Sequence, residues 1–165
     1  MLERLSRALD RINRLCAGIS MLAMLLACCI LTSSVATRYF FKLPTDWQDE
    51  ASVFLLVGGI FLSGAYVQAL RGHIGIGLLA GLLSPRWDRA RLWLCDLLSL
   101  LFCGFFAWKS WTLLAEAVSE GQTTDSTWAP PLWIPYGLMS TGMTLLALQL
   151  ALQLLGAGHP EGARR

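Results

Sequence analysis

Twenty-three consecutive residues without a formal charge, 15–37, separate Arg14 from Arg38. A helix rises about 1.5 Å per residue, so about 20 apolar residues cross the ~30 Å hydrocarbon layer of a bilayer. A second uncharged run, 51–70, follows between Glu50 and Arg71, and 132–155 lies in a stretch, 126–160, where His159 alone could carry a formal charge. Residues 92–114 are also long enough, although they contain Asp96 and Lys109. Each of these lies roughly 9–11 Å from the middle of that stretch, so Lys109 can snorkel to one interface and Asp96 sits near the other. About 20 Å of helix separates them, too far to pair. Charged residues are only 15% of the 165 and hydrophobic residues 55%. Too few charges remain to coat a water-exposed surface, which argues against a disordered or nucleic-acid-binding chain. The expectation is an all-α membrane protein, one integral-membrane domain over 1–165, with four transmembrane helices.

Orientation follows from the basic residues in the short connections. Arg4, Arg7, Arg11 and Arg14 precede the first span, Arg71, Arg86, Arg89 and Arg91 lie between spans two and three, and Arg164 and Arg165 end the chain. Those ten face three on the other side, Arg38, Lys42 and Lys109. Both termini are therefore expected in the cytoplasm. The basic start, the apolar run and Ser34-Val35-Ala36 also resemble a cleavable signal, but the run is long for one and the chain is expected to keep it.

The connections carry their own patterns. Leu2, Leu5, Leu9, Ile12 and Leu15 alternate with the four arginines, predicting an amphipathic leader helix that runs on into span one. In the first outer loop, Thr45-x-x-Gln48 has the form of a capping box, and Asp46, Asp49 and Glu50 follow in the first turn. Tyr39, Phe40, Phe41 and Trp47 fit an interfacial aromatic belt. Residues 73–83 are apolar but too short to cross, and read as a re-entrant or interfacial cytoplasmic segment. The second outer loop, about 115–131, holds Glu116, Glu120 and Asp125. Trp128, Trp133 and Tyr136 then mark the interface, with Pro130, Pro131 and Pro135 around the start of the last helix.

Chemistry is sparse. Cys16, Cys28, Cys29, Cys95 and Cys103 form no C-x-x-C pair and have no histidine at ligand spacing; they read as small buried apolar side chains. No nucleophile–base set, metal site or cofactor site is evident, so no catalytic, metal or cofactor residue is assigned. Spans one, two and four hold no ionisable proton-relay residue, and His73 and His159 lie at or beyond the membrane edge, unsuited to axial haem ligation. What the spans do hold is packing chemistry. Gly58, Gly59, Ser63, Gly64 and Ala65 make a small-residue face with Gly59-x-x-x-Ser63 at its centre, fit to pack within the bundle or on a partner. Gln68 and Thr32 are candidate cross-helix hydrogen bonders.

Three motifs in this order resemble the DctQ-type small membrane subunit of tripartite ATP-independent periplasmic (TRAP) transporters. They are Arg38-Tyr39-Phe40-Phe41 with Trp47 and Glu50, Arg71-Gly72-His73-Ile74, and Pro131-Leu132-Trp133-Ile134-Pro135-Tyr136. The family often continues its histidine motif as H-[IV]-[RK]-V-D; here the chain reads His73-Ile74-Gly75-Ile76-Gly77. The resemblance implies a non-catalytic subunit in a bacterial or archaeal inner membrane, packed beside a large membrane subunit that carries substrate and sodium sites. It also implies a soluble periplasmic substrate-binding protein, which delivers a carboxylate-bearing organic anion such as a dicarboxylate. Arg38, Tyr39, Phe40, Trp47, Glu50, Gly59, Ser63, Gly64, His73, Pro131, Trp133 and Pro135 become candidates for motif and subunit-interface roles. Lys42, Asp46, Asp49, Glu120 and Asp125 become candidates for a periplasmic docking face, where charge steers encounter. Membrane lipid is the remaining expected partner. Two other classes stand beside this reading: a self-contained oligomeric transporter or channel using Asp96 with Gln68 nearby, and an anchor for a redox or sensory complex.

Overall fold

The computed structural model describes residues 2–70 and 85–155. Within them run four helices, α1 (Leu2–Phe41), α2 (Asp46–Ala69), α3 (Pro85–Glu120) and α4 (Trp133–Leu154). All four are long and apolar enough to cross a membrane. Among the described residues β-structure is limited to one isolated bridge between Thr123 and Pro131. The segment 73–83 and the tail with Arg164 and Arg165 lie outside the described residues, as does His73.

The 40 residues of α1 form one uninterrupted helix, so the amphipathic leader and the first span are a single rod, about 60 Å long at helical rise. The third helix likewise extends past both ends of 92–114, reaching Glu120, which shortens the connection between α3 and α4 to 121–132. Neighbours are α1 on α2, α2 on α4 and α4 on α3, with α1 only grazing α4. Along the α2–α4 seam, Gly58 meets Leu138, Phe61 meets Gly142 and Gly64 meets Leu146. Residue numbers rise together, so these helices run parallel, as two spans with a single crossing between them must.

The bundle is packed with small and polar residues inside and large apolar ones outside. The inward stripe of α1 is Leu9, Asn13, Ala17, Ser20, Ala27 and Ser34, all buried, whereas Leu5, Ile12, Leu15, Ile19, Leu22 and Leu25 are exposed. Lipid tails are as apolar as leucine, so leucine gains nothing by turning inward, while small residues let helix backbones come close. The same physics corrects the cysteine expectation. Only Cys103 is buried; Cys16 is half-buried, and Cys28, Cys29 and Cys95 face outward. A larger apolar cluster joins α3 to α4, with Cys103, Ala107, Met143 and Leu150 at its centre and Phe61 of α2 against it.

Candidate functional site

The small-residue face of α2 divides between two neighbours. A methyl group placed on Gly59 would lie 3.3 Å from the Met24 side chain and 3.6 Å from the Ser20 carbonyl, so Gly59 admits α1. Gly58 and Gly64 point instead at α4, where a methyl would meet Leu138 at 3.0 Å and Leu146 at 3.9 Å. Ser63 donates to the Ile60 carbonyl of its own helix at 3.1 Å. Together with Gly59 it lines an open apolar groove between α1 and α2, of volume 600 Å³. The tightest contact at a described glycine is one that the sequence motifs do not single out. A methyl on Gly142 would lie 2.9 Å from Phe61 Cβ and closer still to the Phe61 carbonyl. The run Ser140-Thr141-Gly142 in an otherwise bulky span was the available signal.

Neutral amides pin the ends of the helices nearest Asn13. Gln68 Nε2 donates to Gln153 Oε1 at 2.8 Å, and Gln153 Nε2 donates back to the Gln68 carbonyl at 2.9 Å. Asn13 Nδ2 donates to Gln149 Oε1 at 3.1 Å, joining α1 to α4 inside the bundle. Gln68 thus bridges helices as expected, whereas Thr32 donates to Cys28 O one turn back on its own helix. Gln149 and Gln153 were not picked out from sequence; two glutamines four residues apart on an apolar helix were the signal. Lys109 is exposed, with Nζ 5.3 Å from the centre of the Trp108 ring, and Asp96 is half-buried.

At the opposite end, a clasp joins α1 to α2. Arg38 Nη2 lies 2.6 Å from Asp49 Oδ2 and donates to Thr45 Oγ1 at 2.8 Å, while Ser34 Oγ donates to Asp49 Oδ1 at 2.9 Å. This corrects the capping-box expectation. Thr45 is the N-cap residue of α2, but its side chain makes no capping bond. Its backbone carbonyl instead accepts from the Gln48 and Asp49 amides at 3.1 and 3.2 Å. The hydroxyl is taken by a guanidinium, and such charge-assisted bonds are roughly twice as strong as neutral ones. Gln48 Oε1 and Glu50 Oε2 are buried with no hydrogen-bond partner.

The clasp brings one motif residue, Arg38, onto one docking candidate, Asp49. Asp46 lies on the other side of the same turn, 3.5 Å from Thr127 Oγ1. With Pro44, Trp47, Thr127 and Trp128 it lines a 440 Å³ cleft between the α1–α2 and α3–α4 connections. Lys42, in a left-handed conformation at φ 52°, is exposed, as is Asp125; Glu120 accepts from Gln122 Nε2 at 2.7 Å. Tyr39, Phe40 and Phe41 project from the end of α1, and Trp47, Trp128 and Trp133 are about half exposed around the same rim. Pro131 sits in the bridge to Thr123, and Pro135 is buried in the first turn of α4, where a missing amide proton costs little. Among the described residues no group of three or more His, Cys, Asp or Glu side chains could hold a metal ion.

Residues 27–157 match the family model described as "Tripartite ATP-independent periplasmic transporters, DctQ component". A search of curated proteins found no match.

Proposed function

The chain belongs to the DctQ family, the small membrane component of tripartite ATP-independent periplasmic transporters, and from that premise we propose that its helices brace the large membrane subunit and help dock the substrate-binding protein. It is a transporter subunit and not an enzyme, and membership implies association with both of those partners. Sodium coupling and recognition of a carboxylate-bearing organic anion reside on the other polypeptides. The chain is a single membrane domain of a bacterial or archaeal inner membrane, with both termini in the cytoplasm. The ten-to-three split of basic residues supports that orientation.

The observation that carries this reading is the chemistry of the helix seams. They are closed by glycine, serine and amides that bond from helix to helix, and among the described residues no charged side chain is fully buried, Glu50 hiding only one carboxylate oxygen. A coupling site would place ionisable groups against the bundle interior. A scaffold needs only rigid, closely packed helices. On the outer rim, Asp46 and the aromatic cleft, with Lys42, Glu120 and Asp125 around it, form the docking face, and Trp133 and Pro135 set the start of the helix beneath it.

The test is reconstitution. Vesicles containing this chain with its large subunit, supplied with the binding protein and a sodium gradient, are expected to take up an organic anion. Vesicles lacking any one component are expected to take up none. Solute movement by this chain alone would overturn the scaffold role.

A further inference from the structure

We propose that the groove between α1 and α2 is a binding site for one anionic phospholipid, with an acyl chain between the helices and the phosphate on Arg14. The inference goes beyond the scaffold role and does not depend on it. The groove walls are apolar or small: Ala17, Met21 and Leu25 from α1, Gly59, Ile60 and Val67 from α2. Its outer lip is open, since Met21, Leu25 and Ile60 are all more than half exposed. Its 600 Å³ falls within the range of ligand sites, about 300–1,000 Å³. From Ala17 to Leu25 the groove extends about 12 Å at helical rise, close to one leaflet of a hydrocarbon layer ~30 Å thick.

The hydroxyls of Ser20 and Ser63 in the groove wall are spent on carbonyls of their own helices, which leaves the charged and phenolic groups at the end where a headgroup would lie. Arg14 precedes Ala17, Met21 and Leu25 by three, seven and eleven residues, a spacing that keeps all four on one helical stripe. It is exposed, one turn nearer the N-terminus than the groove, and Arg11 stands exposed beside it. Tyr66 lines the groove at the same end. An apolar slot lined by a phenol, with a cation one turn beyond it on the same helical stripe, complements a chain, an ester and a phosphate. It complements a partner helix less well, because such a helix would bring apolar side chains against the guanidinium. The leaflet is the one holding the N-terminal end of α1, which is the inner leaflet if the termini are cytoplasmic.

Native mass spectrometry of the purified full chain, mixed with equal amounts of phosphatidylglycerol and phosphatidylethanolamine, tests the site. Wild type is expected to retain one phosphatidylglycerol in about fivefold preference, the effect of one arginine near a charged lipid surface. Arg14→Gln is expected to bring the two lipids near parity, Arg14→Lys to keep most of the preference, and Ser63→Phe, which fills the groove, to lose both lipids. Equal retention by wild type, or an undiminished preference in Arg14→Gln, overturns the proposal. So does cross-linking of a cysteine placed at Ile60 to the large subunit in a complex that retains no lipid, which would make a partner helix the occupant.

Discussion

Gly142→Ala probes the closest approach made at any described glycine. The added methyl would lie 2.9 Å from Phe61 Cβ and nearer to the Phe61 carbonyl, whereas carbon atoms pack best at about 3.5–4.0 Å. The helices must part by up to about 1 Å, and a gap of that size forfeits a quarter to a half of each contact along the seam. Gly58 against Leu138 and Gly64 against Leu146, one turn away on either side, would loosen with it. Overpacking of this kind costs about 1–3 kcal/mol, and the tightness here argues for the upper end. Alanine returns about 1 kcal/mol of helix propensity, leaving a net loss of about 2 kcal/mol. At this chain length that lowers the unfolding midpoint by about 4–8 °C. Thermal unfolding of the purified chain in detergent, followed by near-ultraviolet circular dichroism of its tryptophans, reads the shift. Gly104 supplies the control, because a methyl there would meet nothing within 4 Å. Its alanine variant should be unchanged or slightly more stable. If Gly142→Ala matches wild type, or Gly104→Ala loses as much, close approach at Gly142 does not organise the α2–α4 seam.

Three further outcomes follow from the same geometry. Gln153→Leu should cost about 0.6–1.7 kcal/mol, the range for hydrogen bonds between membrane helices, and adding Gln68→Leu should recover part of it because an unpartnered buried amide is what costs most. Simple additivity in unfolding measurements would count against the pair. Asp49→Asn should change global stability by less than about 1 kcal/mol, since the Arg38–Asp49 bridge is half exposed. It should nevertheless speed tryptic cleavage after Lys42 by releasing the clasp; an unaltered cleavage rate would show that the clasp does not hold the loop. Reversing charge at Asp46 and Asp125 together should slow binding-protein-dependent uptake and flatten its salt dependence while the membrane complex still co-purifies. Unchanged kinetics would remove these residues from the docking face.

What could be read directly from the residues is what the bilayer dictates locally. Hydrocarbon thickness sets a minimum apolar length, and a spanning backbone must satisfy its own hydrogen bonds. The runs around 15–37, 51–70, 92–114 and 132–155 therefore announce four helices whatever they pack against, and residues such as Tyr39, Trp47 and Trp133 mark an interface for the same reason. The Arg38, Trp47 and Pro131–Trp133 motifs likewise led to the family that residues 27–157 match. Which face of each helix turns inward was decided only by the tertiary structure. Lipid is at least as apolar as the bundle interior, so hydropathy does not separate Leu15, which faces out, from Leu9, which faces in. Three cysteines expected inside are outside for that reason. Gln68 with Gln153, Asn13 with Gln149, and Gly142 beneath Phe61 join residues 85, 136 and 81 positions apart. Thr45, read as a cap, was claimed by an arginine one helix away. Each of these is a choice between competing partners, and only the assembled helices put the competitors within reach of one another.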